Sequence, residues 1–227
     1  MSTVQGVGNI VSKNLVLYLD AANPISYPGS GTSWLDLSGY KNNASFVNGP
    51  VYNSSNAGVI TFDGTDDYVT VPNSTLWDFT TSLTIELWVY VNSYDPLGVM
   101  LIHQQNGGAA GGFEFWVQNN VIRFYKNAST QIIASSASFS VGRWNHVVVT
   151  IEGITGRIYL NTTVVGTTAT ATVPDNVTGQ LRIGSYSNTG FYELNGNISC
   201  VRIYNEKALS SQEVLQNYNA QKGRFGL

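Results

Sequence analysis

The stretch Leu83-Thr84-Ile85-Glu86-Leu87-Trp88-Val89-Tyr90-Val91 decides the fold class, because every odd position is aliphatic and every even one is Thr, Glu, Trp or Tyr. A period of two sends alternate side chains to opposite faces, so the segment reads as a strand with one aliphatic face turned inward. Similar runs recur at 113–118, 121–125, 146–151, 157–160, 181–184 and 198–204, joined by Asn-Asn, Gly-containing or Thr-rich connections. Asn119-Asn120 has the form of a two-residue hairpin turn, since Asn tolerates the positive φ that such turns require. Strands at this spacing predict an all-β protein, a two-sheet antiparallel sandwich.

One helix is signposted near the C-terminus. Ser210-Ser211-Gln212-Glu213 is a capping box, and Leu209 and Val214 have the spacing of a hydrophobic staple. The helix is expected over about 211–220, with Val214, Leu215 and Tyr218 forming the stripe that packs onto the sandwich. Three regions follow: an N-terminal arm at 1–13, a sandwich domain at 14–220 and an exposed tail at 221–227. Both ends carry apolar residues, Val4, Val7, Ile10, Val11 and Phe225, which are expected to anchor the domain on a larger particle.

Composition narrows the function classes. At 227 residues and 43% hydrophobic, the chain is long enough for one sizeable core and short for two. Only 11% of residues are charged and the net charge is -3, so no basic face is expected to bind nucleic acid or an anionic membrane. Cys200 is the one cysteine and has no internal disulfide partner. The first ten residues lack a basic start followed by an apolar run, and no stretch of about 18 apolar residues occurs, so a soluble protein made without a signal peptide is expected.

Five segments, taken in order, resemble the laminin G-like group of the concanavalin A-like lectin and glucanase superfamily. They are Asn14-Leu15-Val16-Leu17-Tyr18-Leu19-Asp20, Trp34-Leu35-Asp36-Leu37-Ser38-Gly39 with Asn42-Asn43, Ile60-Thr61-Phe62-Asp63-Gly64-Thr65-Asp66-Asp67-Tyr68-Val69, Trp144-Asn145-His146-Val147-Val148 and Gly196-Asn197-Ile198-Ser199-Cys200-Val201-Arg202-Ile203-Tyr204. The resemblance implies a jelly roll of two antiparallel sheets, with calcium held at a rim in many members. A narrower one rests on Tyr18-Leu19-Asp20-Ala21-Ala22-Asn23-Pro24 running into Ser26-Tyr27-Pro28-Gly29-Ser30-Gly31-Thr32, with Tyr218-Asn219-Ala220-Gln221-Lys222-Gly223-Arg224-Phe225 near the end. That pattern is similar to virion structural proteins of tailed bacteriophages. It implies a non-enzymatic protein made in the host cytoplasm and displayed on the virion surface, oligomeric on the particle. Its partners there would be capsid or tail proteins, with cell-surface glycans bound weakly. A free-standing carbohydrate-binding lectin domain is the second expectation and a glycoside hydrolase the third.

Four groups of residues are candidate sites. The loop Asp36-Leu37-Ser38-Gly39-Tyr40-Lys41-Asn42-Asn43 reads first as a plain turn, and its rival reading is a Ca2+ site with oxygens from Asp36 and Asn42. Asp63-Gly64-Thr65-Asp66-Asp67 places three carboxylates within five residues, with Asp63 and Asp67 as the candidate calcium ligands and a simple hairpin turn as the rival reading. Glu86-Leu87-Trp88 and Glu114-Phe115-Trp116 repeat a Glu-x-Trp pattern that sets acid and indole on one strand face; on a concave sheet that pairing would grip a sugar by stacking and hydrogen bonding, and the leading rival reading is that the indoles simply cover a sheet face with Glu at its edge. Glu86 and Glu114 would serve as a glycosidase pair only if about 5 to 10 Å apart. Glucanases of the resembled superfamily cluster their acids on one strand, which this chain lacks, so no catalysis is expected. His103 and His146 have no Ser-Gly elbow or metal-ligand companion, and the glycines at 107–112 lack the Lys-Ser/Thr of a phosphate loop and read as a flexible connection.

Overall fold

The computed structural model describes residues 9–94, 96–104, 112–127, 129–186 and 192–227, so most of the glycine-rich connection at 107–112 lies outside the described residues, as do Val4 and Val7. Among the described residues the strands are β1 (Leu15–Asp20), β2 (Ser33–Trp34), β3 (Ala44–Val47), β4 (Val51–Asn53), β5 (Val59–Asp63), β6 (Tyr68–Val71), β7 (Ser82–Ser93), β8 (Val99–Gln104), β9 (Phe113–Gln118), β10 (Val121–Lys126), β11 (Thr130–Ala134), β12 (Trp144–Glu152), β13 (Thr155–Leu160), β14 (Thr163–Thr168), β15 (Leu181–Ile183) and β16 (Asn195–Asn205). A helix, α1 (Ser211–Gln221), follows them. The first sheet runs β14-β13-β12-β7-β16-β5-β4, and the second runs β11-β10-β9-β8-β15-β6-β3-β2. At 11 residues, β16 is long enough to take β5 along its first half and β1 along its second, on the same edge. The result is a two-sheet antiparallel jelly-roll sandwich with one short C-terminal helix.

The core sits between the sheets and is made by the alternation itself. Leu83, Ile85, Leu87, Val89 and Val91 of β7 are each 0% exposed and face Phe113, Phe115 and Val117 of β9 within one apolar cluster. Each such side chain contributes about 1.5–3 kcal/mol through removal from water. The hairpin between β9 and β10 turns on Asn119 and Asn120 with φ of 51° and 61°, the positive pair that a tight connection needs. Ser210 caps α1 as expected: its hydroxyl accepts from Glu213 N while the Glu213 carboxylate accepts from Ser210 N.

The two ends differ from the expected arm and tail. Residues 222–225 are a 3-10 turn continuing α1, and Phe225 is only 9% exposed, stacked on Trp88 with centroids 4.3 Å apart and tilted against Trp144 at 4.5 Å. Arg224 holds the buried Asp20 with two bonds of 2.7 and 3.0 Å. Cys200 lies in the same cluster, behind Trp88 and Phe225. At the other end, Val11 donates its N–H to Asn217 Oδ1 at 2.8 Å and accepts from the Tyr204 hydroxyl at 2.9 Å, while Ile10 and Val11 pack beside Leu209 and Val214. Phe225, Ile10 and Val11 are thus spent within the domain, and the expected exposed tail at 221–227 is corrected. An apolar stripe of the helix and an aromatic pair on the sheet needed covering, and these residues supply it.

Candidate functional site

The two Glu-x-Trp pairs lie on opposite outer faces of the sandwich and meet different fates. On the first sheet, Glu86 and Trp88 point away from the core and are covered by α1 and the turn after it. Glu86 Oε1 accepts from Arg202 Nη1 at 2.6 Å and from His146 Nε2 at 2.7 Å, and its Oε2 accepts from Asn217 Nδ2 at 2.7 Å. Burial alone would raise this carboxyl; Arg202, His146 and Asn217 outweigh it and hold it down at about 2. Trp88 is 0% exposed, sandwiched by Phe225, Tyr218 and His146. The expectation that Glu86 and Trp88 bind carbohydrate is therefore corrected: their polar atoms and ring faces are consumed by the protein's own C-terminal segment. Nor do Glu86 and Glu114 form a glycosidase pair, since the packed core separates them.

On the second sheet the same pattern stays accessible. Glu114 and Trp116 of β9 face outward beside His103 and Met100 of β8, in registers Glu114↔His103 and Trp116↔Met100, and Arg182 of β15 stands opposite His103. Gly98 lets β8 begin tightly against this strand, because a Cβ there, at φ +115°, would lie 2.5 Å from the Val117 carbonyl oxygen and 3.2 Å from the Trp116 ring. Tyr186 and Tyr192 come over the sheet from the segment after β15. Tyr192 is pinned by its carbonyl, which accepts from Met100 N at 2.8 Å. Its ring meets Trp116 at 5.6 Å and 90°, and meets Tyr186 at 5.5 Å and 71°. Together Met100, Glu114, Trp116, Tyr186 and Tyr192 line a cavity of about 130 Å³.

The electrostatics of this pocket are unusual for an outer face. Burial pushes the Glu114 carboxyl up to about 7, against a hydrogen bond with the Tyr186 hydroxyl that lowers it. Tyr186 also stacks on His103 at 5.2 Å, and burial with the nearby Arg182 charge pushes His103 down to about 3. Glu193, next to Tyr192, is likewise raised to about 7 by burial, opposed by a hydrogen bond from Ser185 and the charge of Arg182, with Asp66 and Asp63 adding to the rise. The Trp116 indole N–H is buried with no hydrogen-bond partner among the described residues. The site thus offers ring faces and a carboxyl poised between its two forms near neutral pH.

The candidate calcium residues divide as well. The Asp36 carboxylate accepts from Tyr18 N at 2.9 Å, Ser38 N at 2.9 Å, Ser38 Oγ at 2.7 Å and Asn42 N at 3.0 Å, while Asn42 donates to the Val16 carbonyl at 3.0 Å. Asp36 is the hub that ties its loop to β1, as the turn reading requires. At the rim, Asp63, Asp66 and Asp67 bring one oxygen each within 4.8 Å of the others. Asp63 Oδ1 accepts from Thr65 N at 2.7 Å and Asp67 Oδ2 from Asp63 N at 3.0 Å, which leaves one oxygen on each without a backbone donor among the described residues. Burial, with the charges of Asp63 and Asp66, raises Asp67. A hard divalent cation fits such a set of oxygens.

Sequence reasoning missed Met100, Tyr186 and Tyr192, and set His103 aside for want of a catalytic or metal-ligand companion. β8 reads Val99-Met100-Leu101-Ile102-His103-Gln104, a nearly continuous apolar run, and a bulge between Met100 and Ile102 breaks its alternation. The two tyrosines lie outside any strand, and only their place over β9 marks them.

Comparison with known proteins agrees with this fold. A family model described as the concanavalin A-like lectin/glucanases superfamily matches residues 63–215. No curated protein matches the sequence. Among solved structures, the binding domain of Paraclostridial Mosquitocidal Protein 1 aligns with a TM-score of 0.70 at 16% identity, over 91% of this chain and 52% of that one. The binding domain of botulinum neurotoxin DC in complex with SialylT aligns at 0.71 and 15%, over 92% and 52%. Trypanosoma rangeli sialidase in complex with sialic acid aligns at 0.65 and 16%, over 93% and 33%. The chain therefore spans about half the length of the toxin structures and a third of the sialidase, and what it shares with them is the fold. With the family model covering most of the sandwich and both sheets in place, the chain belongs to the laminin G-like part of the concanavalin A-like lectin/glucanase superfamily.

Proposed function

We propose that the protein is a non-enzymatic carbohydrate-binding domain whose site is the pocket on the outer face of the second sheet. The observation that carries this reading is the set of three rings at steep angles, Trp116, Tyr192 and Tyr186, around the Glu114 carboxyl. Ring faces stack on the apolar face of a pyranose, and Glu114 supplies directional hydrogen bonds. The ligands named for the similar structures, SialylT and sialic acid, support a saccharide as the class. In this reading a rim calcium would be held by Asp63, Asp66 and Asp67 rather than by the Asp36 loop.

A glycan array followed by calorimetry, with a reducing-sugar assay on each hit, tests the reading. Binding without turnover, lost in Trp116→Ala, is the expected result. Release of reducing ends would make the protein a hydrolase, and binding that survives Trp116→Ala would move the site elsewhere.

A further inference from the structure

The Glu114 pocket combines features that a neutral sugar does not require. Its walls are Trp116, Tyr192 and Tyr186, its floor is the Glu114 carboxyl, 8% exposed, and the Met100 side chain closes one side. No cationic side chain lines it among the described residues. The guanidinium of Arg182 lies one strand beyond His103 and is directed over the Tyr68 ring, 4.4 Å from its centroid. Aromatic faces carry negative partial charge, and several of them with a carboxylate make an enclosure for a cation that has shed part of its water. An anionic sugar would instead meet a carboxylate, with the flanking guanidiniums turned elsewhere: Arg182 to the Tyr68 ring, and Arg123, opposite Trp116, to Gln131.

We propose that this pocket binds an ammonium group, and that the glycan recognised by the domain carries one as a substituent on the sugar. The saccharide part rests on the function proposed above; the ammonium part rests on the pocket alone. The groups facing Glu114 are Tyr125 of β10, His103 of β8, and Tyr186 and Tyr192 from above. His103, held down at about 3, stays neutral between pH 6 and 8, and burial raises the Tyr186 hydroxyl further from ionisation. Glu114 is then the group lining the pocket that changes charge over that range; Glu193, beside Tyr192, is raised to about 7 too, so binding of a permanent cation should strengthen as both ionise, and Glu114→Gln isolates the share that belongs to Glu114.

The test is calorimetric titration of the full chain with tetramethylammonium, choline, a glucosamine trisaccharide and its N-acetylated counterpart. The expected result is that both ammonium probes and the amino sugar bind, that the N-acetylated sugar binds at least about tenfold more weakly, and that Glu114→Gln abolishes the preference. With Glu114 at about 7, tetramethylammonium should weaken about tenfold from pH 8 to pH 6, as the ionised fraction falls from roughly nine-tenths to one-tenth. Glu114→Gln is isosteric, and an unchanged melting temperature certifies its fold; Tyr192→Ala, in a half-exposed ring, is the second variant and should also lose the cation. Equal binding of both trisaccharides with none of tetramethylammonium would overturn the ammonium inference and leave the carbohydrate reading standing. Binding of the small cations with neither saccharide would uphold the pocket and overturn the carbohydrate reading, and no binding of any probe would overturn both.

Discussion

Removing the last six residues, 222–227, should destabilise the sandwich even though the cut falls after the last residue of α1. Phe225 is 9% exposed and stacks on Trp88 at 4.3 Å, so its loss forfeits about 2–3 kcal/mol of burial and ring contact. Arg224 makes the two bonds to Asp20, whose side chain is 1% exposed. Taking it away leaves a buried carboxylate with only neutral donors, Tyr18, Gln221 and the Ala22 N–H, at a cost of about 3 kcal/mol, the low end for breaking a buried pair. The sum, about 5 kcal/mol, is a large fraction of the roughly 5–15 kcal/mol that holds a domain together. For a chain of this size it corresponds to a fall in melting temperature of about 10–20 °C. Thermal unfolding followed by circular dichroism, on the full chain, the truncation, Phe225→Ala and Arg224→Ala, measures it. A truncated protein melting within about 3 °C of the full chain would refute the reasoning, and the C-terminal turn would then be free to serve as the anchor its sequence suggests.

Three further predictions concern the acids that the sandwich buries, ties down or gathers at its rim. Glu86 has a folded pKa of about 2 against an ordinary 4.5, so its stabilisation is complete above about 4.5 and is lost as pH falls toward 2; Glu86→Gln should lower stability at pH 7 and flatten the dependence on pH across that window, and an unchanged acid limb would sink the assignment. Asp36→Ala should cost about 1–3 kcal/mol by orphaning the N–H groups of Tyr18, Ser38 and Asn42, by the same amount in millimolar calcium and in chelator. Calcium should raise the melting temperature of the Asp36→Ala protein as in the parent and leave Asp63→Ala unmoved; the reverse pattern would return the metal to the Asp36 loop.

The alternation of β7 and β9 set both the sandwich and the same-face placement of each Glu-x-Trp pair, because a period of two is a local property. Which face stays open is not local. The cover over Glu86 comes from Asn217, 131 residues away, and Phe225 covers Trp88 from further still, so nothing near Glu86-Leu87-Trp88 distinguishes it from Glu114-Phe115-Trp116. The same distance problem hid Tyr186 and Tyr192, which reach β9 only because β15 lies beside β8. The resemblance to virion proteins finds no counterpart among the similar structures described, and the apolar ends that motivated a particle anchor are in part used up by the sandwich, with Val4 and Val7 outside the described residues.

Cys200 turns the C-terminal cover into something that can be timed. It is the one thiol in the chain, it sits behind Trp88 and Phe225, and burial pushes it up to about 12, so a maleimide finds neither access nor thiolate while the turn is seated. Alkylation is therefore expected to proceed through excursions in which residues 222–225, with the end of α1 where Tyr218 and Gln221 sit, lift from the sheet, and its rate would read the population of that open state. A mixed sample would carry its own clock: the label accumulates at a pace set by how often the aromatic lid breathes, and any ligand or partner that clamps the lid would slow it.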